Sequence, residues 1–384
     1  MERVSVLIPN YNHGPFLMER IDTVLAQNGV DYDVVILDDA STDNSREVIQ
    51  RYVGHPKIKK IIFNEINGGS ALRQWKRGVS HCDGDLVWIA ESDDFCDPDY
   101  LKSMVLEYRA HGCDITYCDS FVVDENSDIV DVWYYGSSFF SSDRWKESYV
   151  NDGLDELKNY LLHQNTIPNA SACLFSKSSL VDALNGVDNF SLLADWAVYC
   201  EILKKGSVRF IQKRMNYFRE HPRTTRTHSK PEINRRFHEL DRIRKRLFEL
   251  KITDSEPSRS DVESPMKVLM NCDKFTDQLS DFIGDYGAVG VFGNSHLSRL
   301  IISRLESSVR RKIHWIADRR VESVGWKFMG IPIVCSSCVS VDFFDVDAAL
   351  ILSVNSAEII RESIQSMMRN GHVFKPIQTL SFTC

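Results

Sequence analysis

Three short stretches of this 384-residue chain combine residue types that can do chemistry: Asn10-Tyr11-Asn12, Asp38-Asp39 and Glu91-Ser92-Asp93-Asp94. The last is the sharpest, with three carboxylates in four residues directly after the apolar run DLVWIA. Like charges this close repel one another unless solvent or a cation screens them. A hard divalent ion, Mn2+ or Mg2+, takes one or two carboxylates and fills its other positions with water and phosphate oxygens. An ion held in this way would neutralise a diphosphate leaving group. Strand-end aspartates also serve as caps and turns, so Asp38-Asp39 alone would mark no site. Together the three stretches describe a pocket with an aromatic face, a hydrogen-bond acceptor and a carboxylate cluster.

The elements that must position them alternate. Arg3 to Pro9, Val34 to Leu37, Ile58 to Phe63, Asp85 to Ala90 and Asp114 to Tyr117 are short apolar runs that read as strands. Between them, Pro15 opens a helix with Leu17, Ile21, Val24 and Leu25 on one face, and Pro98 opens another. Strands separated by helices predict a mostly parallel sheet with helices over its faces. In such sheets ligands bind beyond the carboxyl ends of the strands, where all three stretches fall. From about Phe121 to Leu250 the pattern is less periodic, and the aromatics Trp133, Tyr134, Tyr135, Phe139, Phe140 and Trp145 suit either cleft walls or packing against the sheet.

Composition narrows the class. Lys and Arg number 46 against 54 Asp and Glu, a net charge of −8, so a nucleic-acid-binding footprint is missing at the level of the whole chain. No apolar run reaches the ~20 residues that span a bilayer. The first residues, MERVSVLIPNYN, read as a strand and not as a signal peptide. Ten dispersed cysteines are no disulfide framework, and the expected setting is the reducing cytoplasm.

The chain resembles the family 2 glycosyltransferases, whose catalytic unit has the GT-A nucleotide-sugar-binding fold. The segments that carry the resemblance are VSVLIPNYN, VVILDDASTDNS, NGGSALRQWKRG and GDLVWIAESDDFCDPDYL, which cover residues 1–120, with weaker likeness to about residue 230. The resemblance implies that Tyr11 stacks on the nucleobase, with Pro9 and Asn12 shaping the turn. It implies that Asp39 accepts a base N–H with Asp38 in support, and that Arg73 lies near the diphosphate. Glu91-Ser92-Asp93 stands at the family's DXD position, with Glu for the first Asp. Asp93 is then the expected metal ligand, with Asp94 and Glu91 in support. Asp195, in LLADW, matches the catalytic base of an inverting transfer, although Ala194 replaces a carboxylate the family often has. Tyr217-Phe218-Arg219-Glu220-His221 resembles a later element in which Arg219 would pair with phosphate and His221 would reach the metal or the diphosphate.

The expected function is therefore an inverting, Mn2+- or Mg2+-dependent transfer of a sugar from a UDP-sugar donor to a hydroxyl of a growing polysaccharide or lipid-linked glycan. The alternatives from other classes are a non-catalytic sugar-nucleotide-binding protein, or a bifunctional enzyme with a dinucleotide-dependent C-terminal half. From Lys204 to Arg246, fifteen Lys and Arg face four Asp and Glu. That stretch reads either as a solvated helical face or as a peripheral contact with anionic lipid at the inner face of the membrane.

The fold class expected is α/β throughout: a GT-A domain over 1–250, a linker and helix over 251–285, and a Rossmann-like domain over 286–384. The linker reading rests on the polar run ITDSEPSRSDVESP, with a helix from Met266 to Ile283 after it. The last unit opens with AVGVFGNSHLS, a strand, a turn at Gly293 and a helix start, and Asp318 ends its next strand. Ser298 or a nearby bulky residue stands where a dinucleotide fingerprint wants its last glycine or alanine, so a cofactor does not follow from it. Cys335 and Cys338 form a lone CxxC, short of the four ligands of a structural zinc site.

Overall fold

A computed structural model describes residues 2–133, 135, 140–221, 230–253, 272–318, 326–335, 346–352 and 377–380. The chain divides into two compact units. The first holds Met1–Val122, Trp133–Arg219 and His238–Pro257; the second holds Val123–Val132, Glu220–Phe237 and Ser258–Cys384.

The first unit is built on β1 (Val4–Asn10), β2 (Tyr32–Asp38), β3 (Ile58–Phe63), β4 (Leu86–Ile89), β5 (Phe95–Cys96) and β6 (Ile115–Val123). After an excursion, β7 (Ile129–Val132), that belongs to the second unit, come β8 (Tyr149–Asp152), β9 (Cys173–Ser176) and β10 (Ser207–Arg219). The sheet order is β3-β2-β1-β4-β9-β6-β10-β5, with β8 beside β10. The first four strands are parallel, whereas β9 runs antiparallel to β4 and β6. The sheet is thus mixed, and the irregular stretch of the sequence supplies its antiparallel half. Of those strands, β6 and β9 are buried almost throughout, so they lack the alternation that marks a half-buried strand. Tyr135 and Trp145 are buried and stacked there at 4.9 Å, part of the packing.

Helices α1 (Gly14–Leu25), α2 (Ser45–Gln50), α3 (Ala71–Val79) and α4 (Tyr100–His111) follow the early strands. On α1, Leu17, Ile21 and Val24 are fully buried as the spacing predicts, while Leu25 is only partly covered. They share one core with Val6 and Ile8 of β1, Val34 and Ile36 of β2, and Leu101, Met104 and Val105 of α4. The other face meets α3, where a Cβ on Gly78 would lie 2.3 Å from Leu7 Cδ1. A glycine there lets the helix lie directly on the strand. Further along, α5 (Gly153–Glu156), α6 (Lys177–Gly186), α7 (Ala194–Leu203) and α8 (Lys230–Glu249) complete the helices up to residue 249, and α3 packs with α6 and α7.

Register decides where the strands end. Asn10 pairs with Asp38, Asp38 with Phe63, and Leu7 with Ile89. The carboxyl ends of β1, β2, β3 and β4 therefore line one edge of the sheet, and the three polar stretches emerge along it side by side.

In the second unit, α9 (Cys272–Gly284) leads to β11 (Val289–Phe292) and α10 (His296–Arg304). After the short α11 (Ser307–Arg310) come β12 (Ile313–Asp318), β13 (Lys327–Phe328), β14 (Ile331–Cys335), β15 (Ala348–Leu352) and β16 (Ile377–Leu380). The order is β13-β14-β12-β11-β15-β16, parallel except for β13. β11 is central and the chain steps outward on both sides of it. At the β11 turn, Gly293 has φ of +119°, and a Cβ there would lie 2.0 Å from the Leu352 carbonyl oxygen. The expected helix over 266–283 is described from Cys272. Most of the polar run before it and Cys338 lie outside the described residues.

Candidate active site

The β1 and β2 ends are locked together by side chains. Asn10 is buried and donates to Asp38 Oδ1 at 2.9 Å. The other oxygen of Asp38 accepts from the Ser41 backbone N–H at 3.1 Å and from Arg46 Nε at 3.2 Å. Asn12 takes a left-handed backbone, φ 56°, and its side-chain oxygen accepts the Thr42 N–H at 2.7 Å. Asp38 and Asn12 thus hold the two loops in register, and between them Tyr11 is left 45% exposed. Pro9 is the last residue but one of β1, paired with Leu37. Asp39 is buried, and Oδ1 accepts from Asn64 Nδ2 at 2.6 Å and from the Gly68 N–H at 2.8 Å. Gly68 is tied in turn to Arg73, whose guanidinium donates to the Gly68 carbonyl at 2.9 Å. Tyr11, Asp39 and Arg73 come from separate elements that these bonds draw to the same end of the sheet.

The acidic loop is assembled from the inside out. Asp94 is buried, and Oδ1 accepts the Arg219 backbone N–H at 2.9 Å. Oδ2 accepts from Asn169 and lies 3.7 Å from the guanidinium of Arg20, itself fully buried on α1. Burial, then the neighbouring charge of Asp93, push the Asp94 carboxyl up to about 6 against the pull of Arg20. Arg20 also donates to the Glu91 carbonyl at 2.8 Å and to Ser171 Oγ at 3.1 Å, and its guanidinium lies over the Trp88 ring. The Glu91 N–H goes to the same Ser171 hydroxyl at 3.0 Å. With the backbone so fixed, Asp93 turns toward α1. His13 Nδ1 lies 2.9 Å from Ser92 Oγ and 3.9 Å from Asp93 Oδ1. A nitrogen and a carboxylate at this separation, with Asp94 buried behind them, are donors of the kind that hold a divalent ion.

Asp195 lies in the first turn of α7, and its Oδ2 accepts from Asn165 at 3.3 Å. Burial first, then Cys173, Asp195 and Glu91, drive the Tyr199 hydroxyl well above its usual range, so both carboxylates act on one buried group. Arg219, at the end of β10, is buried; it donates to the Asp93 carbonyl at 2.7 Å, pairs with Glu19 at 2.6 Å and lies over Phe16 and Phe95. Its guanidinium thus builds the acidic loop. His221 is buried and follows Arg219 by two residues, in the segment assigned to the second unit.

Several members of this site were not singled out in the sequence. Arg20 sits on the apolar face of α1, one residue before Ile21, and a charge on that stripe is the signal that would have found it. His13 follows the motif asparagine directly. Asn64, Gly68 and Asn169 carry no pattern, because their role comes from distant contacts. The basic stretch is largely consumed inside the protein. Arg209 pairs with Glu107, Arg214 with Asp119, Arg219 with Glu19, Lys245 with Asp241, and both Lys204 and Arg246 with Glu201. Among the described Lys and Arg of that stretch, Lys205, Lys213, Arg235, Arg242 and Lys245 are exposed, and of these Lys245 is paired with Asp241 and Arg242 donates to backbone carbonyls.

A mixed α/β sheet with polar loops gathered at the carboxyl ends of its parallel strands is the GT-A arrangement. TarS of S. aureus, solved in complex with UDP-GlcNAc, has the same fold. Its TM-score is 0.50 at 15% identity, over 81% of this chain and 84% of that one. Residues 5–180 match the family model described as Glycosyl transferase family 2, and this segment is a family 2 glycosyltransferase domain. Among curated relatives, Glycosyltransferase GlyG of Streptococcus pneumoniae serotype 4 is 26% identical over 125 residues, 33% of this chain and 41% of that protein. An uncharacterized glycosyltransferase of Nostoc sp. is 27% identical over 231 residues, 57% of this chain and 65% of that protein. The chain therefore spans less than two thirds of the length of these two relatives.

Proposed function

We propose that the chain is an inverting, metal-dependent glycosyltransferase that moves a sugar from a UDP-sugar to a hydroxyl of a growing polysaccharide or lipid-linked glycan. The observation that carries the reading is the pairing of His13 with Asp93 at 3.9 Å, beside the buried Asp94 and on the sheet edge that also bears Tyr11 and Asp39. In this reading Tyr11 offers its exposed ring to the base, Pro9 and Asn12 set the turn, and Asp39 accepts the base N–H with Asp38 holding the loop. Arg73 faces the diphosphate. Mn2+ or Mg2+ would be held by Asp93 and His13, with Glu91 and Asp94 supporting the set. Bound there, the ion supplies positive charge that stabilises the leaving diphosphate.

The chain's own part in the transfer is to align and to accept a proton. Asp195 takes the proton of the acceptor hydroxyl as its oxygen bonds to the anomeric carbon. The bond from that carbon to the diphosphate oxygen breaks, and UDP leaves with the electron pair. A single general base of this kind contributes ~10²–10⁴-fold. The second unit, with β11 central in a mostly parallel sheet, is read as Rossmann-like. A peripheral membrane contact at the cytoplasmic face would rest on Lys205, Lys213 and Arg235, since most other cations of the basic stretch have partners within the protein.

The test is a donor screen of UDP- and GDP-sugars that detects released nucleotide, with Mn2+, Mg2+ and EDTA arms. UDP release that needs the ion supports the reading. Release of GDP alone would reassign the donor, and no release from any donor with either ion would favour a non-catalytic sugar-nucleotide-binding role.

A further inference from the structure

The loop before α7, Asp188–Leu193, is held by a single face of α8. Glu239 of α8 is only 4% exposed, yet its carboxylate accepts four hydrogen bonds from that loop. Oε1 takes the Ser191 N–H at 2.9 Å and the Ser191 hydroxyl at 2.8 Å. Oε2 takes the Leu192 N–H at 2.9 Å and the Leu193 N–H at 2.8 Å. Three residues further along the same face, Arg242 donates to the Asn189 carbonyl at 3.0 Å and the Asp188 carbonyl at 3.1 Å, with its guanidinium 4.3 Å over the Phe190 ring. The anion grips amides and the cation grips carbonyls of one loop. Between those grips Asn189 is held at φ 62°, a left-handed conformation that few side chains favour.

Leu193 caps α7, and Asp195 is two residues on. Charge-assisted bonds to a buried carboxylate are the strong kind, and four on one group leave the loop little freedom. A reacting group displaced by about 1 Å can cost ~10²-fold in rate. We propose that Glu239 is a positioning residue for the acceptor side of the reaction, assisted by Arg242, and that it sets the place of Asp195 without touching substrate. The inference rests on the reading of Asp195 as the base.

The experiment uses the full chain, with UDP release from the donor found in the screen and calorimetry of UDP with Mn2+. Glu239→Ala is expected to lower kcat by about 10²-fold while UDP affinity stays within about twofold of the wild type. Glu239→Gln, which keeps one acceptor oxygen, should recover part of the loss. Added to Asp195→Asn, Glu239→Ala should cost little more, because both act through one group. If Glu239→Ala does not fold, Glu239→Gln and Arg242→Lys carry the same comparison. Unchanged kcat in the folded variants beside a large loss in Asp195→Asn would overturn the positioning role and leave the base assignment standing. Full rate in Asp195→Asn would overturn the base assignment, and the proposal with it.

Discussion

The backbone N–H of Arg219 donates to Asp94 Oδ1 at 2.9 Å, joining residues 125 apart in sequence. The end of β10 is thereby fastened to the acidic loop after β4. Since Arg219 Nε also donates to the Asp93 carbonyl, one residue holds both the backbone of the proposed metal ligand and the side chain of the residue after it. The loop's geometry is set by buried charges, and Asp93 is held toward His13 on a rigid base.

Arg20 is the counter-charge that makes a buried Asp94 tolerable. Removing one partner of a buried pair leaves an uncompensated charge and costs about 3–5 kcal/mol. Arg20→Met is therefore expected to lower the urea midpoint with an unchanged m-value. A variant as stable as the wild type would mean that Asp94 is held without its help.

Gly78→Ala tests the packing of α3 on β1. The added methyl would lie 2.3 Å from Leu7 Cδ1, inside the space that side chain fills. Overpacking of this kind costs about 1–3 kcal/mol. Thermal unfolding should show the loss; no change would mean that Leu7 moves aside freely.

For Asp195→Asn, nucleotide binding and catalysis should part company. The amide keeps the shape and the Asn165 neighbour but takes no proton from the acceptor. Transfer is expected to fall ~10²–10⁴-fold with UDP affinity unchanged. Equal transfer by mutant and wild type would remove Asp195 from the mechanism.

Much of the first unit was legible because its parallel strands are apolar runs and its helices carry periodic faces. The three polar stretches were legible for the same reason, since each follows a strand directly. The support beneath them was not. Asn169 reaches Asp94 across 75 residues, and Glu239 reaches Ser191 across 48, and no local pattern announces such pairs. The basic stretch shows the opposite failure. Its charges are conspicuous in sequence, but Glu107, Asp119 and Glu201 neutralise several of them from elsewhere in the chain. The antiparallel strand β6 runs on to Val123, well past the expected Tyr117, because Asp119 and Ser120 look polar while both are buried.

Calorimetry of UDP binding to the wild type and to Asp93→Ala, each with Mn2+ and with EDTA, tests the central claim most directly. The wild type should bind UDP far more tightly with Mn2+ than with EDTA. Asp93→Ala should lose that difference, with a melting temperature within about 2–4 °C of the wild type, the shift that ~1 kcal/mol produces in a domain of this size. Binding that is equally tight in all four cases would contradict a metal-bridged nucleotide at the acidic loop.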